Sequence, residues 1–289
     1  MLKKKNIHLQ LKRKQENNDV NAGLVKELRD KTAAGMMDCK KALTESNGDL
    51  EEAVQILRKK GIAKAAKKST RDANEGLIGA WVSDDQKKGV IVEVNCETDF
   101  VARNDEFKTL VHSVEEVFAQ AEVSLFNDGV PHQSLLNQAS ELVAAAVGSM
   151  GEKLSFCRAT LFKNSVGTIS SYIHLGGKIG VLLDLEGDDV NKENILKDIC
   201  LHIAAVDPEY LQRDEVSEDV IEKEKDVVKA QLAGKPAEIM DKIISGKIEK
   251  YYSEVCLMEQ SFVKDPSQRI KDVLGGLSIK GFVRFQLGA

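Results

Sequence analysis

Apolar positions along the chain follow two periods. Between residues 21 and 70 the spacing is helical. Leu24, Val25 and Leu28 share one face. Met36, Cys39 and Leu43 follow at steps of three and four, and Leu50, Ala53, Val54 and Leu57 give i, i+3, i+4, i+7. Three amphipathic helices are predicted. The turn SNGD separates the second from the third, with Asp49 and Glu52 spaced as a capping box and Gly61 as the expected stop. Further on, the period shortens to that of strands, and the chain repeats itself. Slid by 91 residues, Gly76–Val94 lies over Gly167–Leu185 without a gap. Gly76 meets Gly167, Ile78 meets Ile169, Trp81 meets Tyr172, and Gly89–Val90 meets Gly180–Val181. Each copy predicts a β-hairpin with a glycine-containing turn, followed by a helix near Glu106–Gln120 in one case and Lys192–Val206 in the other.

Other segments fit around this repeat. Ser134–Val147 has helical spacing, Lys153–Phe162 alternates, and Gly281–Leu287 alternates as a last strand. Val216–Val255 differs from its surroundings. Val220/Ile221, Val227/Val228 and Gln231/Leu232 recur at about seven residues, and Ile244, Ile248, Tyr251 and Val255 at four, three and four, on either side of a turn at Ala233–Pro236. That pattern predicts an inserted coiled-coil hairpin. The expected class is α+β: a three-helix domain over 21–73, a core subdomain over 74–163, and a related one over 164–289 carrying the arm at about 216–255.

Composition narrows the functional field. The 289 residues are 42% hydrophobic and 30% charged, with a net charge of −5, so nothing global attracts nucleic acid or an anionic membrane. No apolar run approaches the roughly 18 residues of a membrane span. The five cysteines, at 39, 96, 157, 200 and 256, form no CxxC pair, which suits unpaired thiols in a reducing compartment. Two stretches run against the overall charge. The first 14 residues carry six Lys or Arg and read as a basic tail (1–20), with an organellar transit peptide as the alternative. Arg58–Arg71 carries seven and no acid, and reads as a solvated helical linker because no aromatic interleaves the charges.

Catalytic chemistry is absent from the pattern. The five histidines fall in separate elements, and HExxH, GxSxG, GxGxxG and P-loop motifs do not occur. Cys96 lies beside Glu97 and Asp99, where a negative field raises a thiol pKa, and reads as a small buried residue at a strand end. A packed or interface role suits His202, on an apolar helix. No cofactor or metal site is expected, and a binding protein is favoured over an enzyme. Within NCETDFVARND (Asn95–Asp105), Phe100 is a bare aromatic on a charged loop. It either folds back into the core or is kept for another molecule.

Three segments, LVKELRDKTAAGMMDCKKALTESNGDLEEAV, NCETDFVARNDEF and HLGGKIGVLL, resemble the elongation factor Ts family, from about Ala22 to Leu287. The resemblance implies a ubiquitin-associated-like N-terminal domain, two pseudo-symmetric core subdomains and an inserted coiled coil. It implies guanine nucleotide exchange on elongation factor Tu in the bacterial cytoplasm, with no membrane or specific nucleic acid as partner and higher-order complexes as an option. By position it implies that Thr98, Asp99, Phe100 and Val101 form a wedge that dislocates the partner's Mg²⁺. Arg29, Met36 and Met37 would contact the GTPase domain, and Met150, Gly151 and His202 would make further core contacts. The wording VGSMGEK departs from the usual family pattern. The alternative reading is an RNA- or ribosome-associated protein that uses the basic segments.

Overall fold

The computed structural model describes residues 21–32, 34–187, 192–232 and 237–289. The basic tail and the Ala233–Pro236 turn expected from the sequence lie outside them. Helices α1 (Ala22–Thr32), α2 (Met36–Glu45) and α3 (Leu50–Lys68) pack around Leu28, Cys39, Ala42, Leu43 and Ala53, all fully buried. The Asp49 side chain caps α3 by accepting from the Glu52 amide at 2.9 Å.

Helix α3 does not stop at Gly61. It runs to Lys68 and crosses α6 (Gln133–Met150), and a side chain at Gly61 would run into the Ala145 carbonyl. Gly148 faces the crossing from α6: a Cβ built there would lie 3.4 Å from the Cα of Gly61. The glycine that looked like a terminator is a contact point, where a missing Cβ lets two backbones approach. Arg58–Arg71 is helical as far as Lys68 and mostly exposed, as expected, but it is more than a linker. Its helical part packs on α6, and four of its seven charges pair with carboxylates: Arg58 with Glu141 at 3.0 Å, Lys60 with Glu45 at 2.7 Å, Lys64 with Asp38 at 3.0 Å, and Arg71 with Glu97 at 3.2 Å.

The core is two three-stranded antiparallel sheets. One has the order β1 (Glu75–Val82), β2 (Lys88–Cys96), β5 (Leu154–Lys163), with the small hairpin β3 (Phe126–Asn127) and β4 (Val130–Pro131) beside it. The other has the order β6 (Thr168–His174), β7 (Ile179–Glu186), β10 (Ser278–Gln286). The 91-residue offset holds in the ladder itself. Ile78 pairs with Glu93 where Ile169 pairs with Asp184, and Trp81 pairs with Val90 where Tyr172 pairs with Val181. The third strands repeat too, at a different offset. Leu161 opposes Val90 and Arg284 opposes Val181, a spacing of 123 rather than 91. Each third strand even has its register shift at the corresponding place, skipping Cys157 in one sheet and Lys280 in the other.

The two sheets pack face to face through repeat-related residues: Ile78 and Ile91 from one, Ile169 and Leu182 from the other, with Phe285. Gly89 leaves room for Ile169, and its counterpart Gly180 leaves room for Ile78, each at 2.5 Å from a would-be Cβ. Alternate residues face outward, as strand geometry requires. Val90, Val92 and Val94 meet α5 (Asp105–Gln120) and α6. Val181, Leu183 and Leu185 meet α7 (Lys192–Val206). The first hairpin departs from expectation in one respect. Its turn holds no glycine, and Gln86 takes the left-handed conformation at φ 56°.

Helices α8 (Glu218–Gln231) and α9 (Ala237–Val255) form the arm. Its contacts are thin. Val228 and Ile248 are buried, but Val227, expected in the seam, is 52% exposed. The neck is firmer. Tyr210 bridges to Cys256, and Arg213 forks onto Glu249 and Glu259 while stacking 4.5 Å over the Tyr252 ring. Beyond the arm, β8 (Ser261–Phe262), β9 (Asp265–Arg269) and α10 (Ile270–Val273) lead into β10.

Candidate functional site

Strand β2 is buried from Gly89 to Cys96, then opens into a five-residue helix, α4 (Asp99–Arg103). Thr98 is its N-cap, its hydroxyl accepting from the Val101 amide at 3.3 Å. Asn104 ends it and caps α5, its side chain accepting from the Glu106 amide at 3.0 Å. Val101 packs against the core and Ala102 is buried. Phe100 points the other way. At 81% exposure it is the most exposed large apolar side chain among the described residues. It therefore does not fold back into the core. Asp99 beside it pairs with Arg103 at 2.9 Å.

The loop before α4 is tied to the turn after α6. Gly151 takes the left-handed conformation (φ 76°) that ends α6, and Lys68 from α3 reaches its carbonyl. The turn brings Glu152 to Thr98, whose amide donates to Glu152 Oε2 at 3.0 Å and whose hydroxyl donates to Oε1 at 2.7 Å. Reciprocally, Glu97 accepts from the Lys153 amide and from Arg71. Those two donors, the backbone amide first, hold the Glu97 carboxyl below the usual range.

The structure thus gathers Thr98, Asp99, Phe100, Val101 and Gly151 into one neighbourhood. Met150 packs against the core behind them. Met36 and Met37, 59% and 63% exposed, open α2, and Arg29 is exposed on α1. His202 is not at this surface. It is fully buried in α7. Its Nδ1 accepts from the Val263 amide at 3.2 Å, and its Nε2 donates to Gln260 Oε1 at 3.0 Å. Burial pushes its pKa down, so the ring is neutral. The surface residue it holds in place is Val263, which is 42% exposed.

The sequence reading missed Asn104 and Glu152. Asn-Asp-Glu before an apolar stripe is a helix-start signal that marks Asn104. Nothing local marks Glu152, 54 residues from Thr98.

Catalytic groups do not converge here. Cys96 is buried, and desolvation with the nearby Glu152 charge pushes its thiol up to about 12. Among the described residues no group of three or more His, Cys, Asp or Glu can hold a metal ion, and no helix is long and apolar enough to cross a membrane. A groove of about 660 Å³ runs between α3 and helices α5 and α6, but neither His nor Cys lines it.

The described residues form an α+β frame that displays the capped, exposed aromatic Phe100. Comparison with known proteins gives the family. The family described as elongation factor TS matches residues 97–289. Elongation factor Ts of Halothermothrix orenii is 47% identical over 272 residues, covering 91% of each chain. Those of Nitratiruptor sp. and Clostridium acetobutylicum are 45% and 43% identical, each covering at least 92% of both chains. The chain belongs to the elongation factor Ts family of translation elongation factors.

Proposed function

We propose that the chain binds elongation factor Tu and promotes release of GDP, so that GTP can replace it. The observation that carries this reading is Phe100, held 81% exposed on a capped helix in a family member. A GTPase grips GDP through its phosphates and a Mg²⁺ ion. A partner speeds release only if it binds better to the state in which those contacts are broken. Burying a phenylalanine contributes roughly 1.5–3 kcal/mol, and each 1.4 kcal/mol of differential affinity is tenfold in an equilibrium. Phe100 supplies apolar area that the free protein leaves in water, and Asp99, alongside it, supplies charge near the ion. No chemistry by this chain is required.

Arg29, Met36 and Met37 form a second contact on the GTPase domain. Exposed methionines suit such a surface because the thioether chain adapts to its partner. Residues 21–73, 74–163 and 164–289 serve as the separate units of this tool. Its relatives are bacterial, and we place its action in the bacterial cytoplasm. The RNA-binding alternative loses support because four of the seven charges in Arg58–Arg71 are paired with carboxylates of the same chain.

The test is loss of labelled GDP from elongation factor Tu with and without the protein. Acceleration at substoichiometric amounts is expected, and an unchanged rate would refute the reading. Deleting residues 1–73 should weaken the complex while the sheets stay folded.

A further inference from the structure

A single helical turn has almost no stability of its own, because nucleation costs more than one hydrogen bond returns. Helix α4 is such a turn. Inside it, Ala102 donates to the Thr98 carbonyl at 3.2 Å, and Asn104 closes its end on Val101 at 3.0 Å. Its direction, and so the direction of Phe100, is imposed from outside.

We propose that Glu152 is the positioning residue that does this, a role that rests on the wedge reading of Phe100. One carboxylate takes both the amide and the hydroxyl proton of Thr98. Once the hydroxyl proton points at Glu152, the oxygen's lone pairs are free for the Val101 amide, which it receives at 3.3 Å. The capping bond inside the wedge therefore depends on a residue outside it. Bonds to a charged acceptor are the stronger kind.

The arrangement is braced from both sides. Glu97, next to Thr98, accepts from the amide of Lys153, next to Glu152, so the two segments exchange bonds across the junction. Gly151 delivers Glu152. A side chain at Gly151 would meet nothing within 4 Å, so the glycine is required by its positive φ and not by space. Of the helices, α6 is fixed by its crossing with α3 at Gly61. Phe100 is therefore referenced to the three-helix unit through Gly151 and Glu152, not only to β2.

A second set of variants separates positioning from plain stability. Glu152→Ala, Glu152→Gln, Phe100→Ala and the Glu152→Ala/Phe100→Ala double variant are compared in GDP release from elongation factor Tu. Chemical denaturation and amide hydrogen exchange of the free proteins accompany them. Glu152→Ala is expected to slow release about tenfold or more, the scale of losing hydrogen bonds to a charged group. Glu152→Gln, which keeps one acceptor oxygen, should fall between it and the parent chain. In the Phe100→Ala background the same change should add less than about a twofold effect, since a helix without its ring gains nothing from being aimed. Exchange protection should fall at Val101 and Ala102 by more than the small drop in the denaturation midpoint accounts for. Equal slowing in both backgrounds would overturn the proposal, as would unchanged protection at Val101 and Ala102. If the parent protein itself fails to release GDP, the functional reading falls, and exchange protection alone decides whether Glu152 orders the helix.

Discussion

Phe100 and Phe107 are the same residue seven positions apart, and they meet opposite fates. Phe107 is fully buried on the stripe of α5 that includes Leu110, Val111, Val114 and Phe118, whereas Phe100 is 81% exposed. In one continuous helix, residues seven apart share a face. Had α4 run straight into α5, Phe100 would lie on the core side. Asn104 prevents this. Its backbone leaves the helical region (φ −67°, ψ 138°), ends one helix and caps the next, and the break turns Phe100 away from the face Phe107 uses. One asparagine separates an aromatic buried in the fold from one left in water.

The largest expected effect sets the two phenylalanines apart directly. Phe107→Ala should cost about 3–5 kcal/mol of folding stability by leaving a core cavity. Phe100→Ala should cost no more than about 0.5 kcal/mol, the range of surface changes, while cutting the GDP release rate more than tenfold. Denaturation of the free variants and stopped-flow release give the two quantities. Several kcal/mol lost at Phe100 with normal exchange by the folded fraction would place that ring in the core.

A smaller effect should sort His202 with Phe107. The folded chain holds its imidazole neutral, whereas the unfolded chain takes up a proton near pH 6.5. Protons favour the unfolded state, so stability should fall as pH drops through about 6.5 toward the lower folded value. It should be flat in this respect above about pH 7. The slope from this one group is bounded at about 1.4 kcal/mol per pH unit. His202→Gln should flatten that segment of the curve. A profile identical in the parent and the variant would show that His202 is not buried in solution as it is here.

Asn104→Ala removes a cap worth about 1 kcal/mol and at the same time favours helical continuity. Its effect on GDP release should exceed its effect on stability, and Asn104→Ser, which keeps an acceptor, should restore both. A stability loss with release untouched would mean that the break does not aim Phe100. The smallest change is expected at Lys64, where the ion pair with Asp38 is about half exposed. Lys64→Ala should alter stability by less than about 1 kcal/mol and leave RNA affinity unmoved. A large loss of RNA binding in a filter assay would revive the alternative reading of the basic run.

Much of the frame was legible in the chain because strand and helix periods are local properties. The gapless 91-residue repeat carried the pairing register of both hairpins. The third strands were legible as strands at Lys153–Phe162 and Gly281–Leu287, but their kinship escaped because their offset changes to 123 and few identities survive to mark it. Gly61 was misread because a glycine needed for a close crossing and a glycine that ends a helix look alike without the opposing Ala145. Phe100 drew notice as an isolated ring among charges, but its exposure depends on Asn104, and the hold on Thr98 depends on Glu152. That last contact joins residues distant in sequence, and no local pattern contains it.

The unequal offsets of the third strands also bear on the order in which the molecule assembles during synthesis. In the first sheet, Ile91 finds Thr160 after 69 residues. In the second, Leu182 must wait 101 residues for Val283, and the arm lies between them. A chain emerging from its N-terminus can close the first sheet while the last strand has not yet been made. Until β10 arrives, the edge of β7 and the apolar side of Ile169 and Leu182 have only the first sheet to lean on. The sequence separations thus allow the finished first half to template the second, with residues 278–286 docking last. Arg158 is placed to secure that step, reaching the Gln286 carbonyl at 2.9 Å and lying 4.3 Å over the Phe285 ring.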